Sequence, residues 1–124
     1  MIIKLPAIKK HYNEETEQLE VERYEIPFNL DTSAYSEYRW EQYFKDQLKC
    51  SFAEYQERVL KDRSEAALKA NYLSILKLLY CYLESDKAPT FIDFIKLFDV
   101  AVVQELGDKL AHVIQLAFSS ATKN

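Results

Sequence analysis

One glycine in 124 residues, Gly107, is the feature that most narrows what this chain can become. Tight turns draw on glycine because it takes positive φ without steric penalty. A chain with one glycine and three prolines (Pro6, Pro27, Pro89) cannot easily reverse direction many times, so an all-β fold is disfavoured and long helices fit better. The same scarcity removes the glycine-rich loops that cradle phosphates and dinucleotides. At 48% hydrophobic and 29% charged residues the chain has a globular composition, and its length suits one core, so residues 1–124 are expected to form a single domain.

The first thirty residues differ from the rest. Ile2, Ile3, Leu5 and Ile8 are branched or apolar, Leu19 and Val21 alternate with charges, and Tyr24, Ile26 and Phe28 alternate on the opposite parity. A period of two that slips by one residue predicts a bulged strand. Residues 2–9 and 18–28 are thus expected to form a hairpin joined by the polar segment His11 to Thr16, with Pro27 stopping the second strand or confining it to an edge.

Beyond Leu30 the pattern turns helical. Asp31, Thr32 and Ser33 are successive candidate N-caps for a helix reaching about Lys49. Ser51 with Glu54 is a capping box for a second helix to about Lys61. From about Ser64 to Glu84, Leu68, Tyr72, Ile75, Leu76, Leu79, Tyr80 and Leu83 recur at helical spacing, while Leu73, Leu78, Cys81 and Tyr82 carry the apolar surface around most of the circumference. A helix apolar on nearly all sides is buried on nearly all sides. Thr90 caps a fourth helix bearing Phe91, Phe94, Ile95, Phe98 and Val102. A further stripe of Leu110, Val113, Ile114 and Ala117 follows Gly107, where the helix either breaks and is recapped by Asp108 or continues with a weak point, a break or kink being expected. The expected architecture is mainly α with a small N-terminal β-hairpin (α+β), four to five helices packing around the central helix at about 64–84. The hairpin takes about 2–28, the helical body about 31–118 and a short polar tail 119–124.

Charge and composition exclude several functions. The net charge is −4, and the densest basic spot, Lys9-Lys10, faces six glutamates between Glu14 and Glu25, so nucleic-acid binding is not expected. The most apolar run, Tyr72 to Leu83, is about half of the ~20 residues a membrane span needs and contains Lys77. The two cysteines, Cys50 and Cys81, are too few for a disulfide framework, and no secretory signal is legible in the opening residues; free thiols and a cytoplasmic location follow.

Catalytic signatures are sparse. No serine lies in a nucleophile elbow, and the two histidines cannot supply a three-histidine site. Glu105, Asp108 and His112 would share one face of an uninterrupted helix and are the best metal-ligand candidate, set against a solvated face with an incidental histidine. Cys81 is read as a small core hydrophobe and Cys50 as partly exposed near a helix N-terminus. No cofactor, metal or enzymatic activity is expected.

The informative cluster is aromatic. Tyr35, Tyr38, Trp40, Tyr43 and Phe44 fall within ten residues, interleaved with Glu37, Arg39, Glu41 and Lys45, and cover much more than one side of a helix. Either most pack internally, or two or more form a protein interface, where Tyr, Trp and Arg serve as anchors. Tyr35, Tyr38, Arg39, Trp40, Tyr43 and Phe44 are the candidate protein-binding residues.

The segment from Ile26 to Phe44, with Asp31-Thr32-Ser33 leading into Arg39-Trp40-Glu41, resembles part of the tail assembly chaperones of long-tailed bacteriophages. The resemblance implies a protein that coats the tape-measure protein, keeps it soluble in the host cytoplasm and recruits tail-tube subunits, self-associating along its partner. It also implies a frameshifted longer product, and Thr122-Lys123-Asn124 can be encoded by a slippery run. The expected function is a protein-binding assembly factor with other proteins as partners and a possible homo-oligomer. The alternative is a structural or adaptor module of unrelated family, and after it a metal-dependent enzyme.

Overall fold

A computed structural model describes residues 1–119, so the expected tail beyond Ser119, including Thr122-Lys123-Asn124, lies outside the described residues. Two strands, β1 (Ile2–Asn13) and β2 (Gln18–Asn29), form an antiparallel hairpin, followed by helices α1 (Tyr35–Tyr43), α2 (Lys45–Leu48), α3 (Phe52–Leu60), α4 (Glu65–Ala70), α5 (Tyr72–Cys81) and α6 (Phe91–Ile95). A 3-10 turn (Val100–Val102) then leads into α7 (Val103–Ala117). The fold is α+β, as the pattern predicts.

The hairpin corrects one expectation. Its register runs unbroken from Ile2↔Asn29 to Asn13↔Gln18, with no bulge, and β1 continues to Asn13 instead of ending near residue 9. The change of parity has another origin. Tyr24, Ile26 and Phe28 share the face that the body covers, whereas Leu19 and Val21 lie on the other face, beyond the covered part, and are exposed. Asn13 Oδ1 accepts from the N–H of Glu15 at 3.0 Å and of Thr16 at 3.3 Å, closing the turn without glycine, and Glu17 takes the left-handed conformation with φ 54°.

A two-stranded ribbon is marginal alone and needs a surface to pack on. Along β1, Leu5, Pro6, Ala7 and Ile8 are all buried, so both faces of the strand are covered; α7 and the 3-10 turn pack against it. On β2, Phe28 meets Phe94 edge to face at 5.5 Å, and Phe98 lies 6.5 Å away. The base of β2 is also tied to the end of α5. Asp31 N–H donates to the Tyr82 carbonyl at 2.7 Å, Glu84 N–H to the Asn29 carbonyl at 2.8 Å, and Leu30 bridges Leu83.

The helices follow their caps where those are local. Ser51 Oγ accepts from Glu54 N–H at 3.1 Å, Ser64 Oγ from Ala67 N–H at 3.3 Å and Thr90 Oγ1 from Asp93 N–H at 3.3 Å. The expected helix 31–49 starts only at Tyr35: Asp31 Oδ1 accepts from Ser33 N–H at 2.9 Å, and this turn precedes α1 without capping it. Its later part is α2, ending on Lys49 with φ 51°. The expected helix 64–84 is α4 plus α5, divided at Asn71, whose side-chain amide donates to the Ala67 carbonyl at 3.0 Å and competes with the regular ladder. It ends at Cys81 because residues 82–84 turn away to pair with β2.

The central position of α5 holds. Ile75, Leu76, Leu78, Leu79, Tyr80 and Cys81 are all buried, and only Leu73 of its large apolar side chains is well exposed. Tyr82 O–H donates to Gln56 Oε1 at 2.8 Å and Tyr55 O–H to Ser74 Oγ, joining α3 to the α5 region. The stripe expected on the last helix faces the core, with Leu110 and Val113 fully buried. No helix among the described residues is long and apolar enough to cross a membrane.

Gly107 does not break α7, correcting the predicted kink; the interruption falls earlier, where Asp99 Oδ1 accepts from Ala101 N–H at 2.8 Å and starts the 3-10 turn. Gly107 serves close packing. A β-carbon there would lie 3.1 Å from Leu68 Cδ2 and 3.3 Å from Leu68 Cδ1, and Leu68 is wholly buried.

Two predictions follow from this packing. Leu76→Ala should lower unfolding free energy by about 2–5 kcal/mol in denaturant titration; a loss below about 1 kcal/mol would contradict its central position. Gly107→Ala should destabilise by about 1 kcal/mol, because crowding of Leu68 outweighs the roughly 1 kcal/mol gain in helix propensity. Leu68→Val should reduce that penalty in a double-mutant cycle, and additive effects would show that the two positions do not touch.

Candidate protein-docking surface on the first helix

The six residues nominated from sequence divide in half. Trp40 is 0% exposed, Arg39 3% and Phe44 5%, whereas Tyr35 is 43%, Tyr38 53% and Tyr43 55% exposed. Arg39, Trp40 and Phe44 therefore do not meet a partner at the surface; this corrects their nomination as contact residues. The reason is that α1 lies between α3 and α5, which cover one side and leave the other to solvent.

The buried half anchors the helix. Trp40 stacks on Tyr55 at 4.8 Å, with Phe44 at 5.6 Å and Phe52 at 5.7 Å, and its indole Nε1–H donates to the Cys50 carbonyl at 3.3 Å. An aromatic ring buried this way contributes both its area and its polar handle. Arg39 is a buried cation with no carboxylate paired to it among the described residues. Its guanidinium donates to the Leu83 carbonyl and lies 4.7 Å from the Tyr80 ring centroid and 5.9 Å from that of Tyr43. A delocalised, weakly hydrated cation tolerates such an environment where an ammonium would not.

The charge of Arg39 marks its neighbours. Burial pushes the Cys81 thiol up to about 12, and Arg39 offsets part of that rise. Burial raises Tyr80 as well, again opposed by Arg39. Cys81 is thus protonated and inert at neutral pH, a core side chain. Cys50 is also buried, which corrects its expected partial exposure; both thiols are free.

The exposed half forms the surface. Tyr35 and Tyr38 stack with ring centroids 5.6 Å apart, and Tyr43, at the C-terminal end of α1, meets Tyr80 edge to face at 6.3 Å. Three tyrosine rings on a helix fixed by Trp40 and Arg39 can bury apolar area against another chain while their hydroxyls keep hydrogen bonds to water or partner. Because the helix is already rigid, little ordering is left for association to impose.

The candidate metal ligands on α7 are otherwise engaged. Glu105 accepts from Arg23 at 2.9 Å and Asp108 from Arg63 at 2.5 Å, ion pairs that join α7 to β2 and to the loop before α4. No group of three or more His, Cys, Asp or Glu among the described residues is placed to hold a metal ion. His112 instead lines a groove with Lys109 and the start of β1, a juxtaposition that sequence reading missed because nothing local connects residue 4 to residue 109.

Comparison of the chain with protein-family models, curated proteins and solved structures returns no match.

Anchors and surface rings should separate on mutation. Trp40→Ala is expected to cost about 3–5 kcal/mol of stability. Tyr35→Ala and Tyr38→Ala should each change it by no more than about 0.5 kcal/mol, as exposed positions do. Thermal or urea unfolding of the three variants checks this; similar losses at all three would place the whole cluster in the core.

Proposed function

We propose that this chain is a protein-binding assembly factor of the tail assembly chaperone kind. It holds a long, helical tape-measure protein soluble in the host cytoplasm and recruits tail-tube subunits. One observation carries the reading: Tyr35, Tyr38 and Tyr43 remain in solvent on a helix whose other aromatic residue, Trp40, is locked in the core with Phe44 just beyond its end. Rings left exposed on a rigid element are the kind of group that anchors interfaces, where Tyr, Trp and Arg dominate binding energy. The acidic balance of the chain, −4 overall, keeps such a coat soluble while its rings are occupied.

In this reading the resemblance from Ile26 to Phe44 acquires a division of labour. Arg39 and Trp40 orient the helix, and the tyrosines beside them make the contact. The partner offers apolar stripes along a helix, which tyrosine rings cover without demanding one sequence.

The test is co-expression with a tape-measure protein encoded in the same genome, followed by separation of soluble and pelleted fractions. The wild-type chain should keep the partner soluble and co-purify with it. Tyr35→Ala, Tyr38→Ala and Tyr43→Ala combined should weaken binding by at least about 30-fold, the effect of losing one hot spot of about 2 kcal/mol. A tape-measure protein that pellets equally with and without the chain would refute the chaperone reading, and a chain retained in the finished particle would favour the adaptor reading.

A further inference from the structure

Opposite charges lie at the two ends of the hairpin, the basic one shared with α7. At its base, Lys4 on β1 and Lys109 and His112 on α7 line a groove of about 550 Å³ whose apolar wall includes Ile2, Leu30 and Leu116. Lys109, His112 and Leu116 stand at one-turn spacing along α7, so one side of that helix faces the groove. Neither lysine nor His112 has an ion-pair partner among the described residues, and no acidic side chain lines the groove. In a chain of net charge −4 this is a basic, partly apolar recess with no compensating acidic side chain among the described residues.

At the other end the hairpin runs clear of the body. The last cross-links to the helical body are Lys10–Asp99 at 3.0 Å and Arg23–Glu105 at 2.9 Å; from His11 to Glu22 every side chain except Asn13 is exposed. The turn holds Glu14, Glu15 and Glu17, none of them in an ion pair among the described residues. Directly behind it, Tyr12 and Leu19 face each other across the ladder at 55% and 56% exposure. An acidic tip backed by an aromatic–aliphatic pair is the chemical complement of the basic recess.

The tip cannot reach the recess of its own molecule. A twelve-residue strand spans roughly 40 Å, and the recess is at the opposite end of that strand. We propose that the hairpin tip of one copy docks in the basic recess of a second copy, Glu14, Glu15 and Glu17 meeting Lys4, Lys109 and His112 while Leu19 and Tyr12 enter against Ile2 and Leu116. The two surfaces are unlike, so one contact leaves a free tip on one copy and a free recess on the other, which either close reciprocally on each other or receive further copies. This contact is separate from the tyrosine surface of α1, so the chain associates with itself whether or not the chaperone reading holds.

The test is sedimentation velocity of the purified chain over a concentration series reaching on the order of 100 µM. The wild type should gain mass with concentration and lose it in about 1 M salt, where the Debye length falls to roughly 3 Å. Lys4→Glu with Lys109→Glu in one chain, and Glu15→Lys with Glu17→Lys in another, should each stay monomeric with a wild-type circular dichroism spectrum and melting curve. An equimolar mixture of the two should associate again, because each then meets an oppositely charged surface. Leu19→Ser, which leaves the charges in place, should weaken association by about tenfold, as expected when one well-buried apolar group is lost. A wild type that remains monomeric throughout the series overturns the proposal, as do charge-reversed chains that associate like wild type. Two folded variants that fail to associate when mixed overturn it as well.

Discussion

The junction where the end of α5 meets the end of β2 governs much of the rest. Tyr82 and Glu84 exchange backbone hydrogen bonds with Asp31 and Asn29, and the Leu83 carbonyl that lies between them accepts from Arg39. This knot joins hairpin, central helix and first helix through three consecutive residues. Buried backbone groups demand partners: at the end of α5 the Leu79 and Tyr80 carbonyls accept from the Tyr82 and Leu83 N–H groups, and the residues beyond it, Tyr82 to Glu84, are met by strand and guanidinium together. The side chain of Arg39 is thereby fixed, and with it the rotation of α1 that puts Trp40 inward and Tyr38 outward. The exposure of the tyrosine rings on α1 is a consequence of how that junction is satisfied.

Aromatic residues carry two different tasks in adjacent positions. Trp40, Phe44, Phe52 and Tyr55 form one packed group beside the Cys50 carbonyl, and Phe28, Phe94 and Phe98 another beneath the hairpin. Large rings fill the core of a small domain with few side chains, each burying more area than an aliphatic one. The rings left over on α1 are then free to serve an interface. Electrostatics follow a similar division. Surface pairs such as Lys10–Asp99, where the Ala101 N–H first and Lys10 second hold the carboxyl below its ordinary range, steady the hairpin against the 3-10 turn. Such exposed pairs are individually weak, and they leave unpaired the charges at the tip and the basic recess.

Legibility in the sequence varied by the range of the interaction involved. The caps at Ser51 and Thr90 were readable because each depends on a hydroxyl and an amide three residues apart. The buried character of α5 was readable because apolar residues surround it. The slip of parity near Tyr24 was misread as a bulge, since periodicity reports which face is apolar and not whether anything covers it; the exposed Leu19 and Val21 show the difference. Gly107 was misread for a related reason. Local propensity says that glycine weakens a helix, while its neighbour Leu68, on another element, is what crowds any larger residue there.

Composition, capping chemistry and hydrophobic periodicity were enough to specify a hairpin followed by helices around an apolar centre, because all three act over a few residues of chain. They also marked the aromatic density after Asp31 as unusual. Which of those rings is buried, where Arg39 finds its acceptor, and that Lys4 stands beside Lys109 are set by contacts between segments far apart in sequence. Solvent exposure is a property of what packs against a residue, so Trp40 and Tyr43, three positions apart on one helix, become an anchor and a surface ring only once α3 and α5 close on one side of it.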